Sequence, residues 1–242
     1  MLLYFEILLA SLIAGALDTV AGFGGGLLLL PVLVMLVGST DAVLLAALIP
    51  LGWNIPRLIL LHREINWRAA GLFALGIIPG AIIGAAFFST IDPHALQIAI
   101  GVALSLFGIY YILRLYMELP SPTGLKSGMF PIVGLLSGVV GSVLGAGHGP
   151  IQVGALASAS LPVREISATG GALGSITALA RVAGYGMEGM LYPELWIPAL
   201  LGIAGAIGGT FLGIRLSRRA KDTTLELVIG VVILLAGIRM MF

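Results

Sequence analysis

The sequence predicts an all-α polytopic membrane protein made of two inverted repeats, each with three spanning helices and one glycine-broken, re-entrant helical hairpin. Three observations lead to this fold class: a very apolar composition, a series of long apolar segments, and a repeat of small residues at constant spacing. The first membrane repeat is expected over residues 1–116 and the second over 127–242. A cytoplasmic linker at 117–126 is expected to join them.

The composition requires lipid as part of the environment. Of 242 residues, 59% are hydrophobic and 10% are charged, whereas a soluble domain carries roughly 25% charged residues. The net charge of +1 points to no partner, and no nucleic acid is expected. The chain has no cysteine and three histidines. Disulfides and thiolate metal sites are therefore excluded, and neither a metal nor a cofactor is expected.

Polar breaks divide the chain into eight apolar segments. Six of them have close to the ~20 residues that cross a bilayer as a helix, while the first and the fifth run past 30 residues. No basic region precedes the first segment and Glu6 interrupts it, so we expect a retained membrane segment rather than a signal peptide. The segments are 2–36, 42–61, 69–89, 95–113, 127–157, 166–184, 191–214 and 223–242.

Each of the two long segments carries a glycine cluster at its middle, at Gly22 to Gly26 and at Gly145 to Gly149. Glycine permits sharp turns because it has no β-carbon. We therefore expect both segments to be broken into half-helices around an irregular tip. A single tilted and kinked helix is the alternative.

The long segments correspond because the chain repeats itself, first at a spacing of 123 residues and then, after a short insertion, at 129. The glycines of the third segment of each copy are expected to serve close helix packing. The matched pairs are Gly15 with Gly138, Thr19 with Ser142, Gly22 with Gly145, Gly24 with Gly147, Gly26 with Gly149, Trp67 with Trp196, Gly76 with Gly205, Gly80 with Gly209, Gly84 with Gly213, Gly101 with Gly230, and Gly108 with Gly237.

The loop charges predict that the two copies are inverted. The connections at 62–68, 114–126 and 215–222 carry basic residues, whereas those at 90–94 and 185–190 carry no Lys or Arg. Basic loops stay cytoplasmic, which places 62–68 inside and its equivalent, 185–190, outside. Inversion needs an odd number of crossings per copy, which three spans and one re-entrant hairpin provide. Both termini are then extracytoplasmic.

Two inverted hairpins that meet near the midplane would enclose a polar cavity. Irregular backbone at membrane depth has to be buried in protein or line a cavity, and half-helix N-termini there present free N–H groups with partial positive charge. Secondary transporters hold anionic substrates in this way; close helix packing is the alternative role. The candidate substrate-binding residues at the tips are Gly22, Phe23, Gly24, Gly25, Gly26, Gly145, Gly147, His148 and Gly149.

Four ionisable residues lie deep in apolar segments, where a charge is costly and is usually kept for function. Asp18, before the first tip, is a candidate for coupling to an ion or for capping a half-helix. His148 could titrate near neutral pH or stay neutral and hydrogen-bonded. Arg57 and Arg181 could each pair with an anion, and snorkelling to an interface is the alternative for both.

Neutral polar side chains on the same segments suit an anion cavity. Asn54 and Thr177 are equivalent positions in the two copies, which favours a shared role. Each of these side chains is also a candidate for a helix–helix hydrogen bond. The set is Thr19, Asn54, Ser142, Gln152 and Thr177 as substrate-binding candidates, with Thr169 and Ser175 beside them.

At the two tips the sequence resembles the sulfite exporter TauE/SafE family of membrane transporters. The residues that carry the resemblance are Gly22-Phe23-Gly24-Gly25-Gly26 with Pro31, and the second cluster at Gly145 to Gly149; total length, Trp67 and the segment around Gly80 also agree. The resemblance implies export or import of small sulfur-containing anions such as sulfite, sulfonates or sulfoacetate.

The second copy departs from the family pattern. His148 stands where the first copy has Gly25, Pro150 comes early, and Gly154 stands where Pro31 would fall.

The sequence therefore predicts a secondary anion transporter, an exporter, in a bacterial inner membrane, with a proton or sodium ion as a possible coupling partner and a homodimer as a possible assembly. There is no phosphate-binding loop of the Gly-x-x-x-x-Gly-Lys type, so energy has to come from an ion gradient or a partner ATPase. There is no His-Glu-x-x-His or Gly-x-Ser-x-Gly motif, so an enzyme is not expected. An anion or small-solute channel with re-entrant hairpins is the alternative, although the paired Asn-Pro-Ala tips of such channels are missing.

Overall fold

The computed structural model describes residues 1–21, 24–117, 124–159, 161–216 and 222–241, and the predicted all-α fold is confirmed. Gly22, Phe23 and much of the predicted cytoplasmic loops at 114–126 and 215–222 lie outside the described residues. The helices of the described part are α1 (Leu2–Ala21), α2 (Gly25–Val37), α3 (Ser39–Leu48), α4 (Leu51–Leu60), α5 (Trp67–Phe88), α6 (Pro93–Tyr116), α7 (Phe130–Leu144), α8 (His148–Ser158), α9 (Val163–Met187), α10 (Trp196–Leu216) and α11 (Asp222–Met241).

Six stretches of the described chain are helical, long and apolar enough to cross a membrane, as expected for a multi-pass membrane protein. Helix α9 has the length of a span but is not among them, because its glycine, serine and threonine residues and Arg181 lower its hydropathy. Helix α9 can hold these polar residues because α3, α4, α5, α7 and α8 pack around it. The six candidate spans are Leu2–Val20, Ser39–Leu60, Trp67–Phe88, Pro93–Tyr116, Ser127–Leu144 and Pro193–Leu216.

Both long apolar segments are broken at their glycine clusters. Helix α1 ends at Ala21 and α2 begins at Gly25, after Gly24 with a φ of 97°. In the second copy, α7 ends at Leu144, and Gly145 and Gly147 have φ values of 76° and 90° before α8 begins. Positive φ is readily adopted by glycine alone, which explains why the breaks fall at these residues.

A further break, which the sequence pattern did not predict, divides the segment expected over 42–61. Helix α3 ends at Leu48 and α4 begins at Leu51, with a turn at Ile49 and Pro50 between them. Proline has no backbone N–H, so the carbonyl group four residues earlier, that of Ala46, loses its helical partner.

The helices of the two halves interlock through glycines, as expected for these residues. Helix α1 packs along α10, and α5 packs along α7. At each contact, a β-carbon added to the glycine would lie within 3 Å of a carbonyl oxygen of the partner helix, so only glycine fits. The pairs are Gly205 with Leu8, Gly209 with Leu12, Gly213 with Ala16, Gly76 with Pro131, Gly80 with Leu135, and Gly84 with Val139.

Helices α6 and α11, which are equivalent in the sequence repeat, pack against each other in opposite directions. Gly101 lies against the carbonyl of Gly237, and Gly108 lies against that of Gly230. As the residue numbers rise along one helix they fall along the other, so the two helices are antiparallel.

Helix α9 lies at the centre and contacts α3, α4, α5, α7 and α8. Helix α3 is buried along nearly its whole length. These two elements position the side chains of the candidate site.

Candidate functional site

A cavity of about 70 Å³ lies where the two glycine breaks meet the middle of the molecule. Helices α1, α2, α3, α4, α8 and α9 all contribute to its wall. It therefore joins both halves of the chain. Its lining residues are Asp18, Gly24, Gly26, Leu27, Ala46, Pro50, Trp53, Asn54, Arg57, Gly145, Ala146, Gly147, His148, Gly149, Pro150, Gln152, Val153, Gly170 and Gly174.

At the first tip, Asp18 and Arg57 form an ion pair. The Arg57 Nη2 donates to Asp18 Oδ2 at 3.0 Å and also to the Asp18 backbone oxygen at 2.9 Å. The Asp18 Oδ1 accepts from the backbone N–H of Gly25, at 3.2 Å. The two side chains are only 9% and 11% exposed, so the pair is largely withdrawn from solvent.

The ion pair matches the partial charges of the helix ends around it. Asp18 places its carboxylate at the N-terminus of α2, where partial positive charge lies, and Arg57 reaches the carbonyl end of α1, where partial negative charge lies. Of the two roles considered for Asp18, capping a half-helix is present in the structure. Its participation in ion coupling stays a prediction.

The second tip has no such carboxylate. His148 opens α8, and its ring lies against the α-carbon of Gly141, where a β-carbon would be 3.1 Å from Nδ1. That Nδ1 is buried and has no hydrogen-bond partner within the described chain. The backbone N–H groups of His148 and Gly149 likewise find no acceptor there, and both residues line the cavity.

Arg181 is 1% exposed and lies behind the cavity wall rather than in it. Its guanidinium donates to the backbone oxygens of Val43 at 3.0 Å, Ala46 at 3.0 Å and Gly145 at 3.3 Å. The Ala46 oxygen is the one that Pro50 leaves without a helical donor. Direct anion binding by Arg181 and snorkelling were the two roles considered; its observed position ties α3 to the second tip.

Gln152 brings a buried amide to the cavity. Its Nε2 donates to Ser137 Oγ at 3.1 Å and to Thr177 Oγ1 at 2.9 Å, which fixes the side chain of this 1% exposed residue. Asn54 lines the same cavity and packs against Gly174, whose added β-carbon would lie 2.6 Å from either terminal atom of the amide.

Other residues proposed from the sequence lie away from the cavity. Thr19 packs on Gly213 and Ser142 packs on Gly84, at equivalent places in the two helix pairs. Thr177 supports Gln152 from behind, and Gly25 faces α1. Gly22 and Phe23 lie outside the described residues. The remaining two polar residues also make internal contacts: Thr169 accepts from the N–H of Asn66, and Ser175 donates to the Gly171 oxygen.

Sequence reasoning missed the glycine face of α9. Gly170 and Gly174 line the cavity, and Gly171 packs on Arg57, with its added β-carbon 2.6 Å from Cδ. Glycines at positions 170 and 174, one helical turn apart, are the signal that could have revealed a helix approached closely by polar side chains. No sequence pattern marked Trp53, which lines the cavity, or Ser137, which accepts from Gln152.

Positive charge exceeds negative charge around the cavity. In the described part of the chain its surroundings hold two guanidinium groups, of Arg57 and Arg181, but one carboxylate, of Asp18. The N-termini of α2 and α8 add partial positive charge. No group of three or more His, Cys, Asp or Glu suited to a metal ion occurs among the described residues. The arrangement suits a small anion.

Comparison with known proteins identifies a family of membrane transporters. Residues 7–240 match the family model described as sulfite exporter TauE/SafE. The chain is 20% identical to the probable membrane transporter protein YunE of Bacillus subtilis (strain 168), covering 96% of this chain and 95% of that protein. It is 24% identical to the probable membrane transporter protein MJ0441 of Methanocaldococcus jannaschii, covering 97% and 94%. No solved structure matches.

Proposed function

The chain belongs to the sulfite exporter TauE/SafE family of membrane transporters, and from that premise we propose that it exports small sulfur-containing anions by alternating access. Sulfite and organosulfonates are the proposed substrates, and the cavity between the two glycine breaks is the proposed site. The family supplies the substrate class. The site itself is argued from the charges that surround it.

The observation that carries the proposal is the excess of buried positive charge at the cavity. Arg181 is buried with only neutral oxygens as hydrogen-bond partners in the described chain, and a buried charge is stabilised by a counter-ion nearby. An anion in the cavity would supply one. The open N–H groups of His148 and Gly149 would add hydrogen bonds to its oxygens.

The inverted architecture is supported by the reciprocal helix contacts. If the halves are related by a two-fold axis in the membrane plane, the packing of α1 on α10 must be repeated by α7 on α5, and equivalent helices must run antiparallel. The glycine contacts of both pairs correspond at the spacings of the sequence repeat, and α6 is antiparallel to α11. In this proposal α1 with α2, and α7 with α8, form the two re-entrant hairpins.

Alternating access needs contacts that close one end of the molecule at a time. At one end Tyr192 donates a hydrogen bond to Asp41 Oδ1. At the other, Arg164 Nη2 lies 3.4 Å from Glu64 Oε1. Asp41 and Arg164 are equivalent positions in the repeat, 123 residues apart. We propose these contacts as the two gates, the one at Glu64 on the cytoplasmic side.

The remaining parts of the proposal concern the orientation in the membrane, the energy source and the assembly. The loops at 62–68, 114–126 and 215–222 are cytoplasmic and both termini are extracytoplasmic, in the inner membrane of a bacterium. Transport is driven by a proton or sodium gradient or by a partner ATPase, since the sequence carries no nucleotide-binding motif of its own. A homodimer is the proposed assembly. Its test is the mass of the purified protein in detergent.

Flux into liposomes tests the function. Purified protein in liposomes should take up sulfite with saturating kinetics, and an organosulfonate should compete. Arg57→Gln should abolish most of this flux, while Gly71→Ala, at a helix position with open space around it, should not. Flux that neither saturates nor responds to an ion gradient would favour the alternative, a channel. No sulfite flux from intact, folded protein would overturn the proposal.

A further inference from the structure

We propose that Gln152 is a specificity-determining residue that selects anions carrying a hydroxyl group, so that the preferred substrate is a hydroxylated organosulfonate. The inference rests on the proposed function, because it concerns which anion the same cavity takes. Its basis is the orientation of the Gln152 amide, since the hydrogen bonds around this side chain can be satisfied in one way.

Two hydroxyl groups behind the cavity fix the orientation of this amide. Ser137 Oγ donates its proton to the Gly134 oxygen, at 3.0 Å. Thr177 Oγ1 donates its proton to the Leu173 oxygen, at 2.8 Å. A hydroxyl group has one proton, so both groups can only accept from Gln152. The Gln152 Nε2 lies 3.1 Å and 2.9 Å from them and donates one proton to each. A flipped amide would set its carbonyl oxygen against two oxygens that have no proton to give.

The carbonyl oxygen of Gln152 is therefore presented to the cavity as a hydrogen-bond acceptor. Gln152 lines the cavity, whereas Ser137 and Thr177 are not among its described lining residues. No described residue donates to the Gln152 Oε1, and this oxygen is not among the unpartnered atoms that the fold buries completely. Because Gln152 is only 1% exposed, leaving its acceptor without a donor is costly. The missing donor has to come from the occupant of the cavity.

Two other polar side chains of the cavity wall are less selective. Both carboxylate oxygens of Asp18 already accept, one from Arg57 and one from a backbone N–H. Asn54 has no hydrogen-bond partner among the described residues, but a β-carbon on Gly174 would lie 2.6 Å from its Oδ1 and from its Nδ2 alike. This contact favours neither orientation of the Asn54 amide, so either atom can face the substrate. At Gln152 the acceptor is fixed.

Helix α8 offers both parts of such a substrate a partner on one face. The open N–H groups of His148 and Gly149 lie at its N-terminus, where the sulfonate would bind. Gln152 follows His148 by four residues, which is about one helical turn or ~6 Å along the axis. A short hydroxyalkyl chain on the sulfur would carry its hydroxyl group from the N-terminus toward Gln152. Sulfite has no such chain.

The charge of the site favours a hydroxyl group over an ammonium group as the donor. In the described part of the chain, the surroundings of the cavity hold the guanidinium groups of Arg57 and Arg181 against the carboxylate of Asp18. The N-terminus of α8 adds partial positive charge. An ammonium group would be repelled strongly in so poorly solvated a place. A hydroxyl group donates to the Gln152 oxygen without adding a charge.

A matched pair of sulfonates tests the inference. Hydroxyethanesulfonate and ethanesulfonate have the same charge and carbon chain and differ by the hydroxyl group. Their uptake into liposomes is measured for the wild type, Gln152→Met and the control Gln97→Met, which makes the same change at a glutamine that donates to the Met240 oxygen. The wild type and the control should favour the hydroxylated anion by about tenfold or more in kcat/KM. In Gln152→Met the acceptor is gone while the side-chain length is kept, so the preference should disappear.

A second variant separates specificity from structural support. Thr177→Val removes one acceptor of the Gln152 Nε2 and allows the amide to turn. The preference should shrink because the KM for hydroxyethanesulfonate rises while that for ethanesulfonate stays unchanged. A merely structural role would weaken the transport of both anions equally.

Equal kcat/KM for the two sulfonates in the wild type would overturn the inference, and so would an unchanged preference in folded Gln152→Met. Stronger transport of aminoethanesulfonate than of hydroxyethanesulfonate would overturn the choice of a hydroxyl group. If Gln152→Met does not fold, the wild type and Thr177→Val decide. Each of these results leaves the proposed function standing as long as sulfite is transported. Absence of flux for sulfite and for both sulfonates in the wild type would remove both.

Discussion

The ring of His148 packs against Gly141, and these two residues hold the places that Gly25 and Asp18 hold in the first half of the chain. In the first half the large side chain is Asp18, on α1 before the break, and it reaches the N-terminus of α2. In the second half the large side chain is His148, on α8 after the break, and Gly141 on α7 lies opposite it. The two tips thus fill the same space from opposite sides, and only the first fills it with a charge.

The Asp18–Arg57 pair should show strong coupling in a double-mutant cycle. Arg57→Gln leaves a largely buried carboxylate without its partner and should destabilise the protein by about 3 kcal/mol. Adding Asp18→Asn removes that charge, so the double variant should regain most of the loss. Unfolding in detergent, followed by circular dichroism, measures both. Strictly additive losses would mean that the two side chains do not interact.

Arg181 and Pro50 should be linked through the Ala46 oxygen. Arg181→Met removes the donors of three buried carbonyl groups and should cost about 1–3 kcal/mol for each that stays unpaired. Pro50→Ala supplies a backbone N–H for the Ala46 oxygen. The double variant should therefore be more stable than Arg181→Met alone. Pro50→Ala by itself is the matched control, and an unchanged melting temperature in the double variant would contradict the link.

The glycine contacts between the halves should be intolerant of a single methyl group. Alanine normally stabilises a helix by about 1 kcal/mol relative to glycine, but at Gly80 and Gly209 the β-carbon would overlap a carbonyl oxygen of the partner helix. Both variants should unfold at lower temperature. Gly71→Ala, on the same helix as Gly80 but in open space, should be neutral or stabilising. Equal melting temperatures for all three would contradict the close packing.

Breaking the Tyr192–Asp41 contact should open that end of the molecule. Burial raises the pKa of Tyr192, and the hydrogen bond to Asp41 raises it further, so the phenol keeps its proton and stays a donor at mildly alkaline pH. In Tyr192→Phe the donor is lost. Because the chain has no cysteine, Val153→Cys can report on the cavity, and labelling from outside by an impermeant maleimide should become several-fold faster. Labelling that is unchanged would mean that the contact is not a gate.

The relative orientation of the two halves can be tested by labelling single cysteines with an impermeant maleimide. Arg63 and Glu188 are exposed and lie in equivalent connections of the two copies. Single cysteines at these positions should be labelled from opposite sides of the membrane, Arg63→Cys from the cytoplasm and Glu188→Cys from outside. Labelling of both from one side would show that the copies are parallel.

The parts of the fold that depend on periodicity and composition were predictable from the sequence. The apolar segments, the breaks at Gly24 and Gly145, and the packing glycines follow from properties of single residues or from the repeat. The break at Pro50 was missed because the apolar run continues through it. Proline alone does not mark a break, since Pro31, Pro56 and Pro79 lie inside continuous helices. At the Pro50 break, Arg181 donates to the freed Ala46 carbonyl.

The sequence predicted which residues beside the glycine breaks line the cavity, but not which residues of the long helices do. Residues beside the breaks, such as Asp18 and His148, reach the cavity because the breaks themselves form it. The direction in which a side chain on a long helix points depends on how that helix is rotated against its neighbours. That is why Thr19 and Ser142 face partner helices, while Gly170 and Gly174 unexpectedly face the cavity.

The exchange of helix partners between the halves has a consequence for biosynthesis. The row of glycines that packs along α1 belongs to α10, which is made near the end of translation, and α5 must wait for α7. A first half made alone would have the exposed carbonyl groups on α1 and the packing glycines on α5. These two surfaces are complementary, but in the whole chain each packs on a helix of the other half. Two copies of one half, inserted in opposite orientations, could satisfy both. A short ancestral chain of dual topology, later duplicated and fused, would leave this pattern.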